Sequence, residues 1–153
     1  MQPFFAAYLN NLQELHDEIR QIIKELPQEA LDWNFGAETN SVNVLIVHLT
    51  GSERYWIGDV IAGEPSGRDR EAEFKVRGWS GEELLERLSE TESYLQKVLG
   101  TLYLPILDKK RVSPRNGREV TVGWALGHAL KHTALHLGHL QITRQLWEQK
   151  HSR

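Results

Sequence analysis

Four of the chain's seven histidines fall within 128-HALKHTALHLGH-139. His128, His132 and His136 recur at every fourth residue, and His139 follows three later. On a helix of about 100° per residue, His128 and His136 lie about 40° to either side of His132, and His139 lies about 20° away. The same strip holds Ala125, Ala129, Leu135, Leu140 and Leu146, so the pattern places the imidazoles in an apolar face. A buried imidazole must be hydrogen-bonded or it costs stability. Several side by side repel one another once protonated. A metal ion removes both difficulties, because neutral imidazole nitrogen is a good ligand. Two histidines four apart on a helix can reach one ion.

A metal site needs a further ligand from another element. His48 supplies it, in the middle of the apolar stretch 44-VLIVHLTGSERYW-56. Ser41, Ser52, Tyr55 and Asp59 share its strip at helical spacing, with Trp56 beside it. A polar stripe in an apolar helix predicts a lined cavity. Three imidazoles leave a coordination position open, as catalytic sites require and closed structural sites do not. The plain alternative is a set of hydrogen-bonded core histidines. His128 and His139 are expected to hold a ligand's tautomer from behind or to serve as alternative ligands. His16, at the rim of the first helix, and His151, in the tail, are expected to be bystanders. The pair is not a zincin motif, because Thr133, Ala134 and Leu135 separate His132 from His136 and supply no carboxylate.

Four long helices have to position these residues. Apolar residues at helical spacing predict the first over 4–26, stopped by Pro27, with a short turn at 28–33. The second is expected from Val42 to Ala62, capped by Asn40 or Ser41 and ended by Gly63. A loop over 63–79 leads to the capping box 80-SGEE-83, which starts a third helix ending near Gly100. Asn116-Gly117 suggests a type I′ hairpin between two short polar strands, although Pro114 interrupts one arm. The last helix is expected from Val122 to Glu148, capped by Thr121. The fold class is therefore all-α, a four-helix bundle with a polar hairpin or loop before its last helix.

Composition narrows the function. The 153 residues are expected to form one domain, 1–153. With no cysteine, zinc-thiolate sites, disulfides and a cysteine nucleophile are excluded. A formal net charge of −3 gives no basic surface for nucleic acid. No apolar run reaches the length of a membrane span, and the N-terminus lacks a secretory pattern, so a cytoplasmic protein is expected. Leu126, Leu130 and Leu137 lie away from the histidine strip, and Val42, Ile46, Ile57 and Val60 give the second helix a further apolar side. That surplus predicts a homodimer.

The order of 40-NSVNVLIVHL-49, 47-VHLTGSERYW-56, 64-EPSGRDREAEF-74 and 132-HTALHLGHLQ-141 resembles the DinB/YfiT-like superfamily over nearly the whole chain. The resemblance implies a four-helix bundle with a divalent metal held by His48, His132 and His136. Zinc and nickel are the foremost candidates. The family's last motif often reads His-x-x-His-His-Arg-Gly-Gln. Here Leu135, Leu137 and His139 replace a His, the Arg and the Gln, while Gly138 is kept. The triad survives these departures and its neighbours do not. Members with assigned activity are similar to transferases and isomerases that use low-molecular-weight thiols such as bacillithiol or mycothiol. A small-molecule thiol is thus the expected partner, with Ser52, Tyr55 and Trp56 on the substrate side. The alternatives are a metal-dependent hydrolase and a non-catalytic metal-binding protein.

Overall fold

Ser41, Ser80 and Thr121 each place a hydroxyl over the first turn of a long helix. Their Oγ atoms accept from the backbone N–H of Val44, Glu83 and Trp124. Glu83 returns a carboxylate to the Ser80 backbone N–H, which completes the capping box. The structure, a computed structural model, describes residues 1–152. Its order is α1 (Pro3–Glu25), α2 (Gln28–Leu31), α3 (Val42–Glu53), a π-helix (Arg54–Ala62), α4 (Arg70–Glu73) and α5 (Gly81–Thr101). A 3₁₀ turn (Leu104–Asp108), β1 (Lys110–Val112), β2 (Glu119–Thr121) and α6 (Val122–His151) follow. The chain belongs to the four-helix bundle class: α3 packs against α5 and α6, and α1 packs against the same pair. Among the described residues, no helix is long and apolar enough to cross a membrane.

The second bundle helix runs without interruption from Val42 to Gly63 but changes type at Arg54. Gly63 closes it with φ 71°, a left-handed conformation that glycine adopts without strain. Arg54 folds back over Gly58, where a Cβ would collide with its guanidinium. That guanidinium lies 3.9 Å above the Tyr94 ring and donates to Asp59 Oδ1 at 3.1 Å. The loop expected over 63–79 contains α4, capped by Asp69.

Every residue of α3 is buried. Val42, Ile46 and Ile57 are fully buried, and Val60 and Leu126 are 2% exposed. Leu137 is buried and Leu130 is partly so. The apolar surplus that predicted a homodimer is therefore covered by the chain's own helices. The second helix is apolar all round because it lies between two neighbours, not because it has a free face.

The hairpin also differs in detail. β1 and β2 pair antiparallel in the register Lys110–Thr121, Arg111–Val120 and Val112–Glu119. Six residues, 113–118, connect them. A type I′ turn needs positive φ at both central residues, and Asn116 does not have it; only Gly117 does, at 71°. The turn is instead a wider loop closed by Ser113 N–H to Arg118 O at 2.8 Å and Gly117 N–H to Ser113 O at 2.9 Å.

His16 is not at a rim. It is fully buried between two carboxylates. Its Nε2 lies 2.9 Å from Glu53 Oε1 and its Nδ1 lies 3.0 Å from Glu92 Oε2. Thr133 donates to Glu53 at 2.6 Å, and Arg20 donates to Glu92 at 2.6 Å. The network ties α1, α3, α5 and α6 together at the bundle centre. Burial alone would lower the His16 pKa, but the charge of Glu53 and the bonds to Glu53 and Glu92 outweigh it and raise it to about 9. The His16 hydrogen bond, helped by Arg20 and opposed by burial, holds the Glu92 carboxyl down to about 2. Both shifts favour an imidazolium between carboxylates.

The folded-state value for His16 exceeds its ordinary 6.5, so its contribution is fully present below about pH 6.5 and is lost as pH rises through about 9. Glu92 contributes above its ordinary 4.5 and loses that contribution as pH falls toward about 2. Urea unfolding across pH is expected to show greatest stability between these limits. His16→Ala leaves Glu53 buried without its cation and is expected to cost about 3–5 kcal/mol near pH 6. It should also remove most of the decline between pH 6.5 and 9. An unchanged pH profile in that variant would refute the charged network.

Candidate metal centre

α3 and α6 cross where His48 faces His132 and His136. The Nε2 atoms of His48 and His136 each lie 3.1 Å from His132 Nε2. The three ligand atoms fall within 4.8 Å of one another, a grouping able to hold a metal ion. The second nitrogens point outward. His48 Nδ1 meets Glu73 Oε1 at 3.0 Å, and His136 Nδ1 meets His139 Nδ1 at 3.2 Å. Among the described residues, His132 Nδ1 has no hydrogen-bond partner. Burial first, then the neighbouring imidazoles, holds the His132 pKa down to about 3 and that of His136 to about 4. Both rings are neutral near pH 7 and keep the lone pairs that a metal requires.

The histidine strip does not run down the centre of the apolar face of α6. That face is Val122, Ala125, Leu126, Ala129, Thr133, Leu137 and Leu140, all buried. The imidazoles lie along its edge. His128, His132 and His136 are half-buried and His139 is exposed, while Leu135, which shared the strip on the wheel, is 56% exposed. This edge faces a cleft, so the ligands are shielded on the helix side and reachable from the other.

Glu73 is a site residue that the helical pattern did not reveal. It sits on α4, buried against α3, and Arg68 donates to it from Nε and Nη2, each at 2.8 Å. Burial would raise the Glu73 pKa, but the bonds from Arg68 and His48 prevail and lower it. An anionic carboxylate on Nδ1–H fixes the tautomer of His48 with its Nε2 lone pair turned inward. Gly51, one turn from His48, permits this approach, since a Cβ there would run into the Glu73 carboxylate.

A cavity of about 300 Å³ opens beside His48 and His132. Ser52, Tyr55 and Trp56 line it, as do Trp124 and His128. The His128 ring stacks on Trp124 at 4.8 Å and 12°, and its centroid lies 6.0 Å from that of His132. It is part of the wall and not of the converging set. Tyr55 Oη is engaged, 2.6 Å from Ser113 Oγ and accepting from Arg115 N–H at 3.2 Å. Asp59, expected on the same strip, is turned aside to Arg54 and Ser66.

Residues 7–149 match the family model described as mycothiol-S-transferase. No curated protein matches the chain. Among solved structures, a conserved protein from Enterococcus faecalis superposes with a TM-score of 0.80 at 15% identity, covering 95% of this chain and 98% of that one. YfiT from Bacillus subtilis, described as a probable metal-dependent hydrolase with an unusual four-helix bundle topology, gives 0.75 at 17% identity, covering 96% and 90%. A DinB-like protein from the same organism gives 0.71 at 15% identity, covering 92% and 91%. At these identities the likeness establishes the fold.

Gly51→Ala tests the role of the carboxylate behind His48. The added methyl displaces the end of a flexible side chain, so the melting temperature is expected to change little. Zinc affinity, measured by competition with a chelator, is expected to fall about 10- to 100-fold, as when a metal ligand loses its outer partner. Equal affinity in the variant would show that Glu73 does not support a metal site.

Proposed function

The chain belongs to the mycothiol-S-transferase family, within the DinB/YfiT-like superfamily, and from that premise we propose that it is a metal-dependent enzyme. In this reading it transfers a low-molecular-weight thiol to a small electrophile. The observation that carries the proposal is the meeting of three Nε2 atoms, from His48, His132 and His136, beside a cleft that His48 and His132 line. Three neutral imidazoles suit zinc and nickel among divalent ions. A bound divalent ion lowers the pKa of a thiol placed against it, which supplies thiolate at neutral pH.

The chain's own residues hold and shape the site. Glu73 holds the Nδ1 proton of His48, so that its other nitrogen faces the cavity. His139 supports His136 from outside at Nδ1. Trp56 and Trp124 pack against each other and against His128, giving the cavity an apolar wall. Ser52 offers a hydroxyl to the cavity, and Tyr55 fixes the hairpin turn that forms its far wall.

Hydrolysis at the same site is the competing reaction. It calls for a general base beside the attacking water. Glu53 is committed to His16 and Thr133, Asp59 to Arg54 and Ser66, and Glu73 to Arg68 and His48. Among the described residues, no carboxylate lines the cavity itself. Thiol transfer needs no such base and is favoured for that reason.

Zinc and nickel content of untagged protein is the first measurement, followed by conjugation of mycothiol and of bacillithiol to monochlorobimane. About one ion per chain and metal-dependent turnover are expected. His48→Ala, His132→Ala and His136→Ala should each lose the ion and at least about a hundredfold in rate. Bound metal that raises stability without turnover of either thiol would favour the non-catalytic alternative.

A further inference from the structure

The cavity beside the histidines has a charge opposite to that of the whole molecule. Arg68, Arg70, Arg115 and Arg118 line it and, among the described residues, no Asp or Glu does, although the chain carries a formal −3. Arg68 is neutralised by Glu73. Arg70 reaches a carboxylate only at 3.7 Å, on exposed Glu71. Among the described residues, Arg115 and Arg118 form no ion pair.

The backbone that carries these two arginines is fixed. Tyr55 Oη bonds to Ser113 Oγ and accepts from Arg115 N–H, and Ser113 N–H closes onto Arg118 O. Arg118 lies 4.4 Å over the Trp124 ring, which in turn stacks on His128. Three guanidiniums thus border one recess with no protein carboxylate inside it. Such an arrangement raises a local positive potential that draws in anions. The guanidinium fork matches the geometry of carboxylate and phosphate alike.

We infer that the substrate of this cavity carries an oxyanionic group, a carboxylate or a phosphate, held by Arg115 and Arg118 with Arg70 at the rim. The reacting end then lies toward His48 and His132. The inference rests on the reading of those histidines as the reactive end of the cavity. Anion recognition selects the substrate, while the metal-binding end acts on it.

Calorimetric titration with succinate and with inorganic phosphate tests this in zinc-loaded and in chelator-treated protein. Succinamide serves as the neutral control. One or both anions are expected to bind in either metal state, more weakly at high salt, while succinamide gives no saturable heat. The double variant Arg115→Gln, Arg118→Gln is expected to lose at least about tenfold in anion affinity, with zinc content and melting temperature unchanged. Arg115→Lys, Arg118→Lys should recover part of the loss, which a purely structural role would not allow. Three results overturn the proposal: no binding of either anion, equal binding in the double Gln variant, or binding that disappears with zinc. Zinc content is read independently, so a failure of the metal-site reading is visible apart from a failure of anion recognition.

Discussion

Three imidazole nitrogens held 3.1 Å apart in successive pairs cannot all turn lone pairs to one point without something positive between them. Bringing two neutral acceptors to that distance is repulsive, and protonating two of the rings puts like charges side by side in a half-buried place. The local arrangement still favours the inward direction, because Glu73 takes the proton side of His48 and leaves Nε2 facing its neighbours. The geometry is that of a group able to hold a cation. It depends on the crossing of α3 and α6, where Ile46, Leu49, Leu137 and Leu140 share one buried cluster. The bundle fixes the positions of the donors before any ion arrives, which lowers the ordering cost of binding.

Two kinds of information decided what the sequence could show. Helical spacing is local, so His132 and His136 on one strip were legible, and so was His48 as the odd polar residue in an apolar stretch. Capping is equally local, and Ser41, Ser80 and Thr121 open their helices where their hydroxyls predict. Glu73 was not legible, because it reaches His48 from a four-residue helix inside what reads as a loop. Its approach depends on the missing side chain of Gly51. His16 was misread for a related reason. A helical wheel assigns a side but not the partner opposite, and the partners of His16 come from α3 and α5. The apolar residues behind the homodimer expectation show the same thing, because Val42, Ile46, Ile57 and Val60 are buried against the chain's own helices.

The change to π geometry at Arg54 explains why the polar stripe below His48 was only partly right. A ladder of i→i+5 bonds turns less per residue than an α-helix. Positions extrapolated at about 100° per residue therefore drift after Glu53. Ser52 precedes the change and lies in the cavity where the wheel puts it. Tyr55 and Trp56, just past it, still line the cavity, with the Tyr55 hydroxyl directed at the hairpin. Asp59 has drifted furthest and bonds away from the histidines, to Arg54 and Ser66. The wide turn thus removes the one carboxylate that the stripe would have brought to the cavity.

That removal and the arginines act in the same direction. A carboxylate near the open side would compete for the cation and repel an anionic substrate. Glu73 stands behind His48, where its negative charge is shared with Arg68 and lies outside the cavity lining. Arg68 therefore has two effects. It keeps Glu73 ionised, as the orienting bond to His48 requires, and it damps the field of that carboxylate on the substrate side. The separation of a negative support behind the histidines from a positive mouth in front of them follows from where α4 and the 113–118 turn pack. Both are short segments outside the four bundle helices, so the bundle supplies the ligands and the connections set the charge they face.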